Sequence, residues 1–216
     1  MRDWCLAVTN MGGNSAVALR PATSDDVDAL AAVLARAFSD DPPMVWLLPD
    51  PATRLGRLTR MFVTIIGIES LPYGGVDIAY ASKEILGGAI WMPPGHWQPG
   101  LLGKIRAAPG HWRAVATAEI RAARMGHALS RAHPKEPHWY LKSIGIDPAC
   151  QGRGAAGLLL RPRLEHSDRD GQPAYLEASK PELVPLYERF GFRRTGNVGM
   201  PAGAPVLTKM WRAPGA

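Results

Sequence analysis

The sequence predicts a single α/β domain built on one mixed β-sheet. Two observations carry this. Short alternating apolar runs take turns along the chain with segments whose apolar residues recur every three or four positions, the signature of strands and amphipathic helices in succession. The last two strand-like runs, Phe192–Val198 and Val206–Trp211, follow each other across a loop alone, as antiparallel neighbours do. Size and composition agree. The chain has 216 residues, 46% hydrophobic and 20% charged, enough for a core that needs no metal or disulfide staple.

Residues 1–16 read as a flexible leader, and residues 17–216 as the domain. Val17–Arg20 is a short strand ended by Pro21. Thr23 then stands as a helix N-cap with Asp26 at capping-box spacing, and Asp25, Asp26 and Asp28 suit the positive end of that helix. Val27, Leu30, Ala31, Leu34, Ala37 and Phe38 form its apolar face. Asp40-Asp41-Pro42-Pro43 ends the helix, and Pro49-Asp50-Pro51 marks a second turn. Leu55, Leu58, Phe62 and Ile65 define another helix, with Arg54, Arg57 and Arg60 expected on its wet side.

Val76, Ile78 and Tyr80 alternate as a strand, and Ile85–Met92 follows as a second, ended by Pro93-Pro94-Gly95. Residues 96–135 are rich in Ala and Arg and read as a helical insertion between two strands, interrupted at Pro109-Gly110. Trp139–Ile146 is a strand and Gly152 to about Ser167 a helix, which Pro162 should kink near Leu158. Ala174–Ala178 is a strand and Glu182–Phe190 a helix.

Several function classes drop out. No apolar run approaches the roughly 18 residues of a membrane span, and residues 1–16 lack a signal-peptide pattern, so a cytoplasmic protein without membrane contact is expected. Two cysteines, Cys5 and Cys150, cannot make a disulfide scaffold. Six histidines include no metal-binding spacing, so no metal is expected. Lys and Arg exceed Asp and Glu by 25 to 19, a net charge of +6. These cations form no run of five or more, which argues against nucleic acid, whereas an anionic ligand such as a nucleotide or CoA suits the surplus.

The strongest local signal lies where strand Trp139–Ile146 meets the next helix, through Asp147-Pro148-Ala149-Cys150-Gln151-Gly152-Arg153-Gly154-Ala155-Ala156-Gly157. Small residues open a helix whose first N–H groups lack internal partners, a ready site for phosphate, and Arg153 can pair with one. Gly152-x-Gly154-x-x-Gly157 matches a dinucleotide fingerprint, with Glu177 20 residues farther on. That fold, however, puts its first glycine directly after the strand and needs further βα units, for which 39 residues after Glu177 are too few. A P-loop fails for want of Gly-Lys-Ser/Thr.

Gln151-x-x-Gly154-x-Ala156 resembles instead the pyrophosphate loop of the GNAT superfamily of N-acetyltransferases. Tyr187-Glu188-Arg189-Phe190-Gly191-Phe192 resembles that superfamily's Tyr-x-x-x-Gly-Phe segment, and Arg20-Pro21-Ala22-Thr23 its opening strand and helix. The stretches Pro134–Leu141, Gly145–Gly154 and Leu176–Ser179 are similar to the puromycin N-acetyltransferase group. The loop departs from the group at Ala155-Ala156, and residues 40–130 match it weakly.

The resemblance implies a sheet in which strands Trp139–Ile146 and Ala174–Ala178 splay, with the pantetheine arm of acetyl-CoA between them. Backbone groups of Ile144, Gly145 and Ile146 would bind that arm. Gln151, Gly152, Arg153, Gly154, Ala155 and Ala156 would cradle the pyrophosphate, and Ser179 would bond pantetheine or CoA. Tyr187 would protonate the departing sulfur, and Glu177 would take a proton from the amine. The acceptor would be a primary amine that attacks directly, of a small molecule in preference to a protein or peptide, and the protein a monomer or homodimer; the alternative reading is a catalytically silent acyl-CoA-binding module. Cys150 is then a loop thiol and not a nucleophile. Trp97 is a candidate for an aromatic acceptor pocket, whereas Trp91 and Trp112 suit a core better.

Overall fold

The computed structural model describes residues 17–82, 84–98, 100–115 and 118–216; the expected leader at 1–16 lies outside them. Seven strands form one sheet: β1 Ala18–Pro21, β2 Val76–Ala81, β3 Glu84–Met92, β4 Trp139–Ile146, β5 Ala174–Ala178, β6 Arg193–Asn197 and β7 Thr208–Arg212. Their spatial order is β1-β2-β3-β4-β5-β7-β6. Every neighbouring pair is antiparallel except β4 and β5. That single parallel contact requires a crossover, which α6 (Ala155–Arg169) supplies.

Both faces of the sheet's central strands are buried. Ala79, Ala89 and Trp91 point into one core with Leu159, Leu160 and Leu164 of α6. Ile78 and Ile90, one residue out of phase, point into the other with Leu30, Leu34, Leu58 and Phe62. The latter come from α1 (Val27–Ala37) and α3 (Pro51–Thr64). A period-2 strand with apolar residues at both parities has to be covered on both sides.

The helix starts follow local chemistry. Asp26 accepts hydrogen bonds from Thr23 N at 2.7 Å and from both Arg20 guanidinium nitrogens at 2.7 Å. The Arg20 pair, joined by Thr23, holds this carboxyl far below its ordinary range although burial opposes ionisation. Pro51 opens α3, and Asp50 caps it by accepting from Ala52 N at 3.0 Å. Between α1 and α3 the expected turn holds a further short helix, α2 (Pro42–Leu47), because Pro42 and Pro43 sit at its N-terminus, where no N–H is missed.

Four expectations need correction. Arg57 is not on a wet side: Nε donates to Ala114 O at 2.6 Å, and a second nitrogen donates to Val115 O. These are terminal carbonyls of α4 (Leu101–Val115), which have no partner within their own helix. Arg54 likewise binds Leu48 O at 2.7 Å, while Leu55, expected inside, is 46% exposed.

Pro109-Gly110 does not interrupt the 96–135 region; α4 runs through it. A Cβ at Gly110 would sit 2.1 Å from Thr64 Oγ1, so this glycine permits close approach of α4 to α3 rather than ending a helix. Pro162 lies inside α6, which continues past it to Arg169. Trp112, expected in a core, is 61% exposed on α4, whereas Trp91 is fully buried.

The crossover helix is tied to the sheet by a buried ion pair. Arg163 of α6 donates to Asp77 Oδ2 of β2 at 2.8 Å, both residues being almost wholly buried. The guanidinium also lies over the Trp139 ring at 5.0 Å. Removing one partner strands the other charge. Arg163→Met should destabilise the fold by about 3–5 kcal/mol, lowering Tm by roughly 10 °C for a chain of this size. Arg163→Met/Asp77→Asn should recover part of that loss, as thermal unfolding followed by circular dichroism would show.

Candidate active site

The site begins where β4 and β5 part. Their ladder contains Trp139↔Ala174 and Tyr140↔Tyr175 and then stops. Beyond it β4 stays with β3 as far as Ile146, and β5 stays with β7 as far as Ala178. The wedge between them opens into a cavity of about 550 Å³. It runs from the loop before α6 to a chamber beneath α1, α3 and α5 (Glu119–Ala132).

A bulge in β4 aims its backbone into this wedge. Leu141 pairs with Trp91 and Ser143 with Ile90, so Lys142 is an extra residue in the ladder. Before the bulge, Trp139 N turns away from β3 to donate to Pro173 O at 2.9 Å; after it, Asp147 N donates to Leu86 O of β3 at 2.8 Å. An inserted residue inverts the alternation. The peptide groups of Ile144 and Ile146 therefore face the wedge, as the sequence reading expects. Gly145, expected with them, instead faces β3, where it pairs with Gly88, and a Cβ on it would lie 2.9 Å from Ala37 Cβ and from Leu34 Cδ2. Close approach to α1 is the physical reason for this glycine.

The loop after β4 is braced at both ends. Asp147 accepts from Ala149 N at 3.1 Å and from Arg36 Nε at 2.8 Å. Gln151 Nε2 donates to Ile146 O at 3.2 Å, so Gln151 shapes the loop from within. Gly152 and Gly154 adopt φ of +78° and +75°, and a Cβ on either would meet nothing within 4 Å. The backbone is thus left-handed and open, and α6 starts without a side-chain cap. Arg153, Ala155 and Ala156 complete the wall. Cys150, a half-buried free thiol, lies beside them.

The chamber end is apolar, walled by Phe38, Met44, Met61, Phe62, Met125 and Leu129. Into it projects Glu177 of β5. Burial pushes this carboxyl up to about 7, against the opposing pull of the Tyr140 and Tyr175 phenols that face it and of Lys209. Neither Glu177 Oε1 nor the Tyr175 hydroxyl has a hydrogen-bond partner.

Tyr187, on the short helix α7 (Val184–Glu188), is 5% exposed and also lines the cavity. Burial, with the nearby Asp41 carboxylate, raises its phenol well above the ordinary value. Ser179 lines the same wall and donates to Asp41 Oδ1 at 2.5 Å. The structure therefore brings to this one cavity every residue that the sequence assigns to acetyl-CoA or to proton transfer.

Sequence reasoning missed Asp41, whose carboxyl burial raises despite its bond to Ser179 and the charge of Lys180. Asp41 reads locally as a helix breaker, and 138 positions separate it from Ser179. Also missed was a triad beneath the chamber. Glu69 lies on a π-helical turn, Ile65–Ser70, that continues α3. It is 2.5 Å from His111 Nε2 and bonded by Lys142 Nζ. Burial works against its ionisation, but these two partners hold the carboxyl at about 2.

None of the tryptophans among the described residues lines the cavity. Trp97 stacks on His133 at 3.8 Å, and His133 in turn packs edge-on against Tyr140 and Tyr175. Among the described residues no group of three metal-ligating side chains occurs.

Residues 113–210 match the family model for the acetyltransferase (GNAT) domain. Over these residues the chain carries a GNAT acetyltransferase domain. It is 27% identical to a crystal structure from Corynebacterium glutamicum described as histone acetyltransferase HPA2 and related acetyltransferase. That likeness covers 92% of this chain and 96% of the other, with a TM-score of 0.70. An uncharacterised N-acetyltransferase of Schizosaccharomyces pombe is 26% identical over 187 residues, 82% of this chain and 74% of that protein. Arylalkylamine N-acetyltransferase 2 of Aedes aegypti shares the fold at 12% identity and a TM-score of 0.55, covering 91% of this chain and 98% of its own.

The open left-handed loop of this acetyltransferase can be tested by paired substitutions. Gly154→Ala adds backbone strain of roughly 1 kcal/mol without charge. Gly154→Glu adds the same strain and a carboxylate where a phosphate would approach. Calorimetric titration with CoA should show modest weakening in the first and a loss of at least about a hundredfold in the second, since opposed charges replace charge-assisted bonds. Equal affinities in the two variants would place the phosphates elsewhere.

Proposed function

We propose that this protein transfers the acetyl group of acetyl-CoA to the primary amine of a small molecule by direct attack within a ternary complex. The observation that carries the reading is one continuous cavity through the β4–β5 wedge, with an open helix N-terminus at one end and, at the other, a buried carboxylate faced by phenols and bonded to no cation. The first suits a pyrophosphate. The second suits an ammonium group, which would supply Glu177 Oε1 with the donor it lacks.

In this reading the pantetheine arm lies along Ile144 and Ile146, whose backbone groups hold it as a strand holds its neighbour. A backbone N–H at this edge polarises the thioester carbonyl as its oxygen gains charge. Gly152, Arg153, Gly154, Ala155 and Ala156 surround the pyrophosphate, with Gln151 bracing the loop. Glu177 removes one proton from the ammonium and passes it to water. The freed nitrogen attacks the carbonyl carbon, the C–N bond forms, and the C–S bond breaks. Tyr187 donates a proton to the sulfur and regains one, through water, from the new amide nitrogen.

The raised phenol of Tyr187 matters here. A thiol ionises near 8.5 and an unperturbed phenol near 10, so a phenol raised further is protonated throughout the neutral range. It stabilises the thiolate first by a hydrogen bond and yields its proton only as the sulfur takes full charge. Ser179, bonded to Asp41, keeps that second carboxyl oriented beside Tyr187 at the reacting end.

Two measurements test these roles. With Glu177 titrating at about 7, kcat/KM for the amine should rise with pH through that value, because the base works only when ionised. Glu177→Gln should lower kcat/KM by roughly 10²–10⁴ and abolish this ascending limb. A variant that keeps the limb would assign it to another group. Tyr187→Phe preserves the ring and its packing against Phe192. It should lower kcat by roughly 10²–10⁴ while KM for acetyl-CoA and Tm barely move. A kcat within about threefold of the parent would leave protonation to water.

A further inference from the structure

On the other side of α5 lies a second cleft, of about 790 Å³, between that helix and the strands β6 and β7. Three cationic or ionisable side chains line its helical wall: Arg124, His127 and Arg131, spaced along one edge of α5 and all exposed. Lys209 of β7 faces them from the sheet. The lining contains no carboxylate. None of these four side chains makes an ion pair or side-chain hydrogen bond with a described residue. Arg124 and Arg131, seven residues apart on one helix edge with Lys209 facing them, gather positive charge that no carboxylate of the lining neutralises. A concave, acid-free wall of this kind concentrates positive potential and favours an anion inside it.

The cleft and the acetyl-transfer cavity lie on opposite sides of α5 and have no lining residue in common. Met125 and Leu129 of α5 face the cavity, while Arg124, His127 and Arg131 of the same helix face the cleft. In the sheet, Lys209 is the direct cross-strand neighbour of Glu177. Such pairs put their Cβ atoms roughly 5 Å apart on the same face, and Lys209 is close enough to favour ionisation of Glu177. A molecule whose amine meets Glu177 therefore needs only a short apolar body to place a second group against Lys209 and the α5 cations.

Resting on the function proposed above, we propose that the acceptor is a zwitterionic amine: a primary amine joined by a short apolar segment to a carboxylate or phosphate, which the Arg124–His127–Arg131–Lys209 cleft binds. The amine selects the Glu177 end, the apolar body spans the short distance from Glu177 to Lys209, and the acidic group sets the orientation.

The test uses three matched amines, phenethylamine, 4-(2-aminoethyl)benzoate and phosphotyramine, with CoA saturating so that the loop before α6 is filled. The parent protein should bind at least one acidic amine about tenfold or more tightly than phenethylamine, as charge-assisted bonds to guanidinium predict. Arg124→Ala/Arg131→Ala, two exposed substitutions, should erase that preference and leave phenethylamine affinity unchanged. Equal affinities for the three amines in the parent overturn the proposal, as does a preference that survives in the variant. Inorganic pyrophosphate provides the other arm: if it binds the cleft tightly while the acidic amines gain nothing, the cleft serves a separate anion and the proposal falls. Release of CoA thiol from acetyl-CoA is followed in parallel. If no amine is acetylated while the acidic-amine preference behaves as expected, the proposed reaction fails and the binding site stands.

Discussion

The structure depends on one broken ladder. After two residue pairs β5 leaves β4 and commits to β7, with which it makes five pairs, while β4 remains with β3. Parting costs backbone hydrogen bonds, and buried N–H and C=O groups must find partners elsewhere. The β4 bulge turns the peptide groups of Ile144 and Ile146 toward the gap instead of toward β3. The resulting edge lies inside the molecule and is matched to an extended chain carrying its own amide groups. The same divergence gives α6 a free N-terminus at one mouth of the gap and exposes Glu177 at the other.

Charge is handled differently on the two faces of the sheet. Against α6, Asp77 meets Arg163 at full burial, an arrangement that locates the crossover helix but does no chemistry. In the cavity, Asp41 and Glu177 are buried with no cation bonded to either, and burial raises both carboxyls. Such groups destabilise the fold in their ionised forms and are relieved by a cation or a donor. Between these extremes sits Glu69, compensated by His111 and Lys142. It anchors α4 and β4 to the π-helical turn that ends α3, the element forming one wall of the chamber.

The two helices α4 and α5 follow from the same geometry. They lie between β3 and β4 in sequence, and those strands are sheet neighbours, so the helices have to pack outside the sheet and return. Arg57 caps α4 and Gly110 brings it close to Thr64. The path leaves α5 above the sheet with one side on the chamber and the other on the basic cleft. A single helix thus divides an apolar space from a cationic one.

Local chemistry was enough to specify much of this. Strand alternation, the Thr23–Asp26 cap, the glycine-bearing loop at Gln151–Ala156 and the Tyr187 segment are all readable because they depend on residues close in sequence. They point to the mixed sheet, to the helix proposed to receive phosphate and to the two residues proposed for proton transfer. Local reading failed where a residue served a distant partner. Pro109-Gly110 reads as a helix break, but the glycine answers to Thr64. Arg57 reads as solvated, but it answers to carbonyls 57 and 58 positions away. Trp112 reads as core by its size, yet the fold gives its side of α4 nothing to pack against among the described residues. Asp41, Glu69, His111 and Lys142 carry no local signature, since each gains its meaning only from a group brought beside it by the sheet. Even Glu177 was visible only as a residue type. Its burial, its phenol neighbours and its lack of a bonded cation exist because β5 leaves β4 two pairs after they meet, a long-range event that no short stretch of sequence encodes.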